Sequence, residues 1–595
     1  MNKIAFLSFD WDYQIVSGYY RGMETYLQSH DDMRVFIFNG FGKKGNYEPE
    51  DGSFEVFTLC DLKGYDGIIL QGNRSWPVNM RQNIVEEAVR RNKPVISLNY
   101  ELEHAYYVGT DNYDAMKGLV EKVLSERDIS DPVFINGLVT SVEANARKQA
   151  FLDACSEHGY DNPVVYQGNW QMEEGMRIAQ QMIDECHIPD MIFCCNDDLA
   201  AGVLETFKEN NIHVPDEVLI SGFDNSDISM RTFPRITTID RDYERIGFTA
   251  LETMKHILKS EKTWEKVFSP VRYILSESCG FTNHSETKEM WTSIYNHMDT
   301  ALKDFYEMLT KFQPAVLNAD SISEILHACE TYFPSIGCPD VYLNINDDYL
   351  EYEVSNNVTH YSTRSNLMAH FGKPLGFSYD YKHLYKKFDT KDLLPDTVEM
   401  NRSLYMIYPL RQNTICIGYL ITEGLSPSLQ YGFLNIILTL VSSAIESARK
   451  KEILQRVNSR LDDLYVHDHL TGLFNRFGLN RFGQIAYEHL LRDFKEAYFI
   501  FVDVDDMKHI NDQFGHEIGD LALQDTANII HRATSNENAF AMRYGGDEFL
   551  LICRKNLIPK LQDETDNLVR NIKRPYHLSL SMGACKIFEG DHYTM

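Results

Sequence analysis

Residues 543–549 read RYGGDEF, set between the apolar runs AFAM (539–542) and LLIC (550–553). Two apolar runs joined through a glycine pair predict a β-hairpin, because glycine adopts the positive φ of a tight primed turn without steric cost. The two carboxylates that follow at once are not turn chemistry. Taken alone, the stretch would read as a plain hairpin tip with solvated acids, so its meaning depends on what accompanies it.

Upstream lies YFIFVDVDDMKHINDQFGHEIGDLAL (498–523). Its run FIFVDVD predicts a buried strand that carries Asp503 towards one end, and a period of two puts Asp503 and Asp505 on one face. Asp503 and Asp547, from adjacent strands, are hard oxygen donors of the kind Mg²⁺ accepts while keeping waters and phosphates in its shell. HDHLTGLFNRFGLNRF (467–482) comes before this stretch, and LSLSMGACKI (578–587) closes the segment.

The strings D-x-L-T-x-L-x-N-R, D-x-D-x-x-K-x-x-N-D-x-x-G-H-x-x-G-D and G-G-D-E-F occur here in order. With them the segment closely resembles the GGDEF family of diguanylate cyclases, which join two GTP molecules into cyclic di-GMP and release pyrophosphate. The resemblance implies an α/β, nucleotidyl-cyclase-like fold over 468–595. It implies Mg²⁺ or Mn²⁺ held by Asp503, the Val504 carbonyl and Asp547, with Asp547 and then Glu548 as candidates for the base. Lys508 would stabilise phosphate charge, Asn511 and Asp520 would read the guanine edge, and His516 would assist near the ribose or base. Gly545 and Gly546 would let the nucleotide lie against bare backbone. Singly, Asn511 and Asp512 read as helix caps and His516–Gly519 as a loop.

The segment also departs from the family pattern. NENA (536–539) stands where the inhibitory R-x-x-D product site would end, so product inhibition there is not expected. Met507 replaces the usual Phe. The sequence stops at FEGDHYTM (588–595), without the family's A-D-x-A-L-Y-x-A-K helix. A fragment, or a domain with weakened GTP binding, is the expectation. The alternative to a cyclase is therefore a catalytically weak or inactive GGDEF signalling or binding protein.

Residues 1–283 alternate short β-branched or aromatic runs with helical patterns. KIAFLSF (3–9), GIILQG (67–72), PVISLNY (94–100), PVFING (132–137), MIFCC (191–195) and VLISGF (218–223) predict strands. VEEAVRRN (85–92), ARKQAFLDACSEH (146–158) and LAAGVLETFKEN (199–210) predict helices between them. Such alternation predicts parallel sheets with ligands at the carboxyl ends of strands. NDDLAAGVLE, VPDEVLISGFDNSD, ITTIDRDYERIG and ANARKQAFLDA resemble, in order, the two-lobed periplasmic-binding-protein-like core of lactose-repressor-type regulators. The resemblance implies a small polar effector such as a sugar, held by Arg147, Asn196 or Asp197, Asp224 and Asp111. Read singly, the Asp and Asn residues cap the following helices. Trp11 or Trp76 could stack on a sugar or serve packing equally well. The first strand opens the sequence with no helix-turn-helix before it, so DNA binding is not expected.

Trp291, Ile294, Met298, Ala301, Phe305, Met308 and Phe312 repeat every three and four residues. That spacing predicts a coiled-coil helix over 284–314, or else a helix packed on its own domain. Residues 315–450 read as α+β: VYLNIN (341–346), LYMIYPL (404–410), ICIGYLI (415–421) and a helix from about 430. The order resembles the end of a GAF domain, and no ligand residue carries over. Leu454, Val457, Leu461 and Leu464 continue the helical spacing through a signalling helix at 451–467, which implies a homodimer. The expected fold is thus multidomain α/β: a two-lobed sensor, a GAF-like α+β domain and a GGDEF domain joined by coiled-coil helices.

The chain has 595 residues and a formal net charge of −30, which argues against gripping nucleic acid or anionic lipid over a wide surface. Eleven scattered cysteines with no C-x-x-C pair suit reduced, buried thiols. No signal peptide or membrane span is legible, so a cytoplasmic location is expected.

Overall fold

The computed structural model describes residues 1–9, 13–40, 53–71, 76, 78–261, 265–281, 302–303, 305–333, 340–350, 364–372, 387–396, 398, 400, 403–412, 415–424, 433–535, 538–554, 557–571 and 573–587. Two compact units divide the chain, Met1–Arg449 and Lys450–Met595.

In the first unit the predicted apolar runs become strands Asn2–Ser8, Gly67–Gln71 and Val95–Leu98, and two strands that no predicted run marked, Met33–Asn39 and Tyr106–Thr110, join them, all paired in parallel. Their side chains are buried almost without alternation, as expected of a parallel sheet covered on both faces. Helices Tyr13–Ser29 and Tyr243–Leu258 cover one face and touch backbone to backbone. A Cβ added at Gly22 would lie 1.8 Å from the Glu244 carbonyl oxygen, so only glycine fits there. A second parallel sheet runs in the order Val165–Gln167, Pro132–Asn136, Met191–Cys194, Leu219–Ser221, with its own core around Phe134, Phe151 and Phe193. These are two α/β lobes. Helices Asn112–Glu126, Val142–Glu157 and Asp197–Glu209 start at caps made by Asp111, Ser141 and Asn196.

The first lobe's sheet does not end at Met33–Asn39. Leu404–Ile407 pairs in parallel with Val35–Phe38, and the sheet continues through Leu404–Gln412, Ile415–Glu423, Asp340–Asn346, Arg364–Gly372 and Lys387–Asp389. With Lys266–Ser269, which pairs in parallel with Tyr106–Thr110 at the far edge, eleven strands are joined among the described residues. Residues 305–317 are helical, and Phe305, Met308, Phe312 and Val316 are buried in the core of this same unit. The second half of the repeat thus packs on its own domain, while Trp291, Ile294, Met298 and Ala301 lie outside the described residues. Helix Phe433–Val466 begins in this core through Leu434, Ile437, Leu438, Val441 and Ile445.

In the second unit an antiparallel sheet runs Phe540–Gly545, Glu548–Cys553, Ala497–Val504, Leu580–Ile587. Ile500, Val502 and Val504 point into a core with helices Met507–Phe514, His516–Thr534 and Leu557–Asn571. Strand Ala497–Val504 is not buried on both faces, as its apolar run suggests: Phe501 is 53% exposed. Only its even-numbered face meets those helices.

Candidate functional site

The hairpin at 543–549 forms as the sequence predicts, with one change. Gly545 pairs with Glu548, which leaves Gly546 and Asp547 as the two-residue turn. Gly546 has φ 55°, whereas Gly545 is the last residue of its strand and lacks a positive φ. Of the two glycines, the turn needs only Gly546 for its backbone.

Asp503 sits opposite Glu548 across the central strand pair, and the Val504 N–H donates to the Asp547 carbonyl at 3.3 Å. The turn therefore lies against the end of the strand that carries Asp503. Although Asp503 is exposed, desolvation by its surroundings, then the charges of Asp547, Glu548 and Asp505, hold its carboxyl above the ordinary range. A crowd of anions with that signature is where a divalent cation is stabilised. Among the described residues no three His, Cys, Asp or Glu side chains form a metal cage of their own. Two carboxylates plus a main-chain carbonyl are an open set, and Mg²⁺ completes such a shell with water and phosphate oxygens. The residues fit the ion.

Asp505 turns to different work. It accepts from Ser579 Oγ at 2.5 Å and Ser581 Oγ at 2.6 Å, and these bonds hold its carboxyl below the usual range. It ties the end of the central strand to Leu580–Ile587. Lys508 is exposed in the first turn of helix Met507–Phe514, and His516 is exposed at the start of the next helix. Asn511 abuts Gly519, where an added Cβ would lie 1.9 Å from its Oδ1, so the carboxamide lies against the turn that precedes Asp520. Asp520 is exposed beside it.

Sequence reasoning missed the scaffold beneath the turn. Arg543 Nε and Nη2 donate to the Gly546 carbonyl at 2.9 and 2.6 Å, and its Nη1 reaches Asp468 Oδ1 at 3.1 Å. Asp468 also accepts from the Thr471 hydroxyl at 2.7 Å and the Thr471 N–H at 3.0 Å. Arg476 donates to the Tyr544 carbonyl at 2.8 Å and stacks over the Tyr544 ring. Asn475 donates to the carbonyls of Tyr465 and His467 and accepts from the N–H groups of Phe477 and Gly478. The segment DHLTGLFNR thereby fastens the end of the long helix to the glycine turn. Elsewhere in the unit, Asp525 takes a two-pronged ion pair from Arg574, at 2.7 Å for each prong, together with the Tyr576 hydroxyl. Asp468, Thr471, Asn475 and Arg476 stand in the D-x-L-T-x-L-x-N-R string, but Arg543 and Tyr544 are too far from it in the chain for spacing to pair them, as Arg574 is from Asp525.

In the first unit, Arg147 is nearly inaccessible. Its Nε and Nη2 donate to Asn112 Oδ1 at 2.9 and 2.8 Å, its Nη1 donates to the Cys195 carbonyl at 2.6 Å, and its guanidinium lies over the Phe223 ring at 3.5 Å. Asp224 Oδ1 is 3.6 Å from Arg147 Nη2 and 3.5 Å from Arg241 Nη1. It is a buried oxygen with no hydrogen bond of its own. Burial raises the Asp224 carboxyl, while the two guanidinium groups oppose that rise. Asp224 also has φ 104°, an uncommon backbone for an aspartate.

Asn196 donates to the Trp170 carbonyl at 3.0 Å and caps Leu199. Asp197 is 1% exposed and has both oxygens engaged, by Thr238 Oγ1 at 2.6 Å and the Ser226 N–H at 2.7 Å. Those bonds turn Asp197 to holding the Asp224 loop. Asp111 caps Tyr113 and Asp114 next to Asn112. The fold thus gathers Arg147, Asn196 and Asp224, with Asp197 behind them, and adds Arg241 and Asn112. Trp76 is buried and stacked on Phe57 with centroids 4.8 Å apart, which is packing. Trp11 lies outside the described residues.

Comparison with known proteins bears on both units. Residues 122–279 match the periplasmic binding protein-like domain family, and residues 465–595 match the family "Diguanylate cyclase, GGDEF domain". The chain is 23% identical over 242 residues to the probable HTH-type transcriptional repressor ExuR of Bacillus subtilis, covering 38% of this chain and 71% of that one. It is 33% identical over 147 residues to the bifunctional diguanylate cyclase/cyclic di-GMP phosphodiesterase MucR of Pseudomonas aeruginosa, covering 24% of this chain and 21% of that one. The lac repressor dimer bound to operator and an anti-inducer aligns with TM-score 0.39 and 16% identity over 46% of this chain and 93% of that one. The matched part of the Pseudomonas relative is about a fifth of its length.

Family likeness thus falls on two separate stretches of the chain, one in each unit. The chain carries a periplasmic-binding-protein-like domain over residues 122–279 and a GGDEF domain over residues 465–595. No helix among the described residues is long and apolar enough to cross a membrane.

Proposed function

We propose that the protein is a diguanylate cyclase whose output is set by a small polar effector, such as a sugar, in the N-terminal two-lobed domain. One observation carries the reading. Asp503 lies opposite Glu548 on the neighbouring strand, the Val504 N–H donates to the Asp547 carbonyl of the adjoining turn, and the charges of Asp547 and Glu548 both act on the Asp503 carboxyl.

A bound Mg²⁺ or Mn²⁺, held by Asp503, Asp547 and the Val504 carbonyl, would neutralise phosphate charge. The chain's own residues do the rest. Asn511 and Asp520 offer a donor and an acceptor to the guanine edge. His516 lies beside the ribose or base, and Lys508 approaches the phosphates from the first turn of its helix. Asp547, with Glu548 next to it, takes the proton of the 3′-hydroxyl. That oxygen bonds to the α-phosphorus of the opposing GTP as the bond to pyrophosphate breaks. One domain presents one GTP, so two chains must meet face to face. The exposed row Leu454, Val457, Leu461 and Leu464, each 42% exposed or more, supplies an apolar seam for a homodimer. In the sensor, Arg147, Asp224 and Asn196 would meet the effector's hydroxyls, with Arg241 behind Asp224. Residues 315–450 stand as a GAF-like domain between sensor and cyclase.

Purified protein is incubated with GTP and Mg²⁺ and the product resolved by chromatography. Cyclic di-GMP from the natural chain and none from Asp547→Ala, with melting behaviour unchanged, is the expected result. GTP uptake without product from the natural chain would favour a binding protein instead.

A further inference from the structure

A repressor-type sensor attached through a helix at 284–314 could swing as a whole relative to the domain it regulates. The packing in Met1–Arg449 argues otherwise. Leu404, Tyr405, Met406 and Ile407 pair in parallel with Val35, Phe36, Ile37 and Phe38, and the Val35 N–H also donates to the Ser403 carbonyl at 2.8 Å. Both faces of this seam are dry. On one side Val35, Ile37, Met406 and Tyr408 share a core with Phe312 and with Leu438 and Val441 of the long helix. On the other, Phe36 stacks on Tyr405 with centroids 5.5 Å apart, over Val56 and Ile407. Parting the strands would strip backbone hydrogen bonds and wet two apolar layers at once.

Among the described residues the second lobe shares no such strand pairing with the middle domain. Its sheet and core are separate. It meets the first lobe at chain crossings where Arg241 donates to Thr110 Oγ1 at 3.1 Å and reaches Glu143 and Asp224 only at 3.5 Å. Bonds that long are readily remade.

We infer that the first lobe and the middle domain are one rigid body, in which helix Phe433–Val466 is rooted, and that the second lobe is the part that moves. Resting on the proposed effector binding, this assigns the signal to displacement of the second lobe against that body. The helix at 305–317 is then part of the body's core and not a flexible arm.

The test needs neither effector nor GTP, so its failure is distinct from a failure of the cyclase reading. In the full chain, amide exchange is followed in Gly67–Gln71, Ile415–Glu423 and Pro132–Asn136, with Tyr405→Ala and Phe36→Leu as mild wedges in the seam. Both variants are expected to speed exchange in the first two strands together, by about tenfold or more, and to leave Pro132–Asn136 unchanged. Loss of protection in Ile415–Glu423 alone would overturn the proposal. A second measurement places nitroxide pairs at the exposed positions Val89 and Lys391, and at Val89 and Val164, with Cys186, Cys338 and Cys585 changed to Ser. A single narrow distance for the first pair and a broader distribution for the second are expected. A broad first distribution would refute the rigid body even if the wedged variants fold poorly.

Discussion

Asp197, the first residue of helix Asp197–Glu209, and Asp547, in the hairpin turn, are both acids shortly past a strand, yet their surroundings give them opposite roles. Asp547 faces the other carboxylates at an open sheet end, and its removal should abolish product formation while leaving the fold intact. Asp197 is walled in. Burial, and after it the nearby Asp224 charge, push its carboxyl up to about 8. A carboxyl raised above its unfolded value, about 3.9, binds more protons in the folded state. Its contribution to stability is therefore full below about pH 4 and lost as pH rises towards 8. The melting temperature of the sensor should fall across that range, and Asp197→Asn should flatten the slope, as read by calorimetry at stepped pH. The sequence showed both residues as acids after strands. It could not show which one the fold would enclose, because enclosure depends on Thr238 and Ser226 arriving from another element.

Among elements, the glycine hairpin illustrates how far local pattern reaches. Its strands, turn length and the positive φ at Gly546 follow from RYGGDEF and its flanks. What holds the turn in place does not. Arg543 links the Gly546 carbonyl to Asp468, across a sequence separation of 75 residues. Although burial works against it, the Thr471 bonds and the Arg543 charge keep the Asp468 carboxyl below its ordinary range. Arg543→Ala would leave that carboxylate half-buried and the carbonyl unpaired, a loss of about 2 kcal/mol of stability in urea unfolding. Product formation should fall further than stability, because the turn that carries Asp547 loses its anchor. Arg543→Lys should recover part of the stability without the two-pronged hold on the carbonyl, and so little of the rate. The strand Ala497–Val504 gives the complementary lesson. Its apolar run suggested a buried strand, but while three helices cover its even-numbered face, on the other face only Ala497 and Phe499 pack with helix Gln484–Phe494 and Phe501 is left in solvent.

For the whole molecule, chemistry that needs two GTP molecules depends on two chains meeting. The row Leu454, Val457, Leu461 and Leu464 is apolar and open along a helix that is otherwise polar there. Leu461→Lys with Leu464→Lys should convert a dimer into a monomer in sedimentation. Cyclic di-GMP synthesis should fall by an order of magnitude or more, while each domain keeps its affinity for GTP. Unchanged turnover by a verified monomer would exclude the two-chain reaction.

Periodicity and short-range chemistry were enough to place six strands of the two lobes and the α/β character of the chain, since apolar alternation, capping and turn geometry are read within a few residues, but they left Met33–Asn39, Tyr106–Thr110 and Val165–Gln167 unmarked. The tertiary structure alone decided which acids are enclosed, how the glycine turn is braced, and that Val35–Phe38 and Leu404–Ile407 form one sheet. Both of those strands are apolar on two faces, so neither sequence marks an edge or names a neighbour. Only the folded chain, by bringing remote segments into contact and excluding water between them, makes that choice.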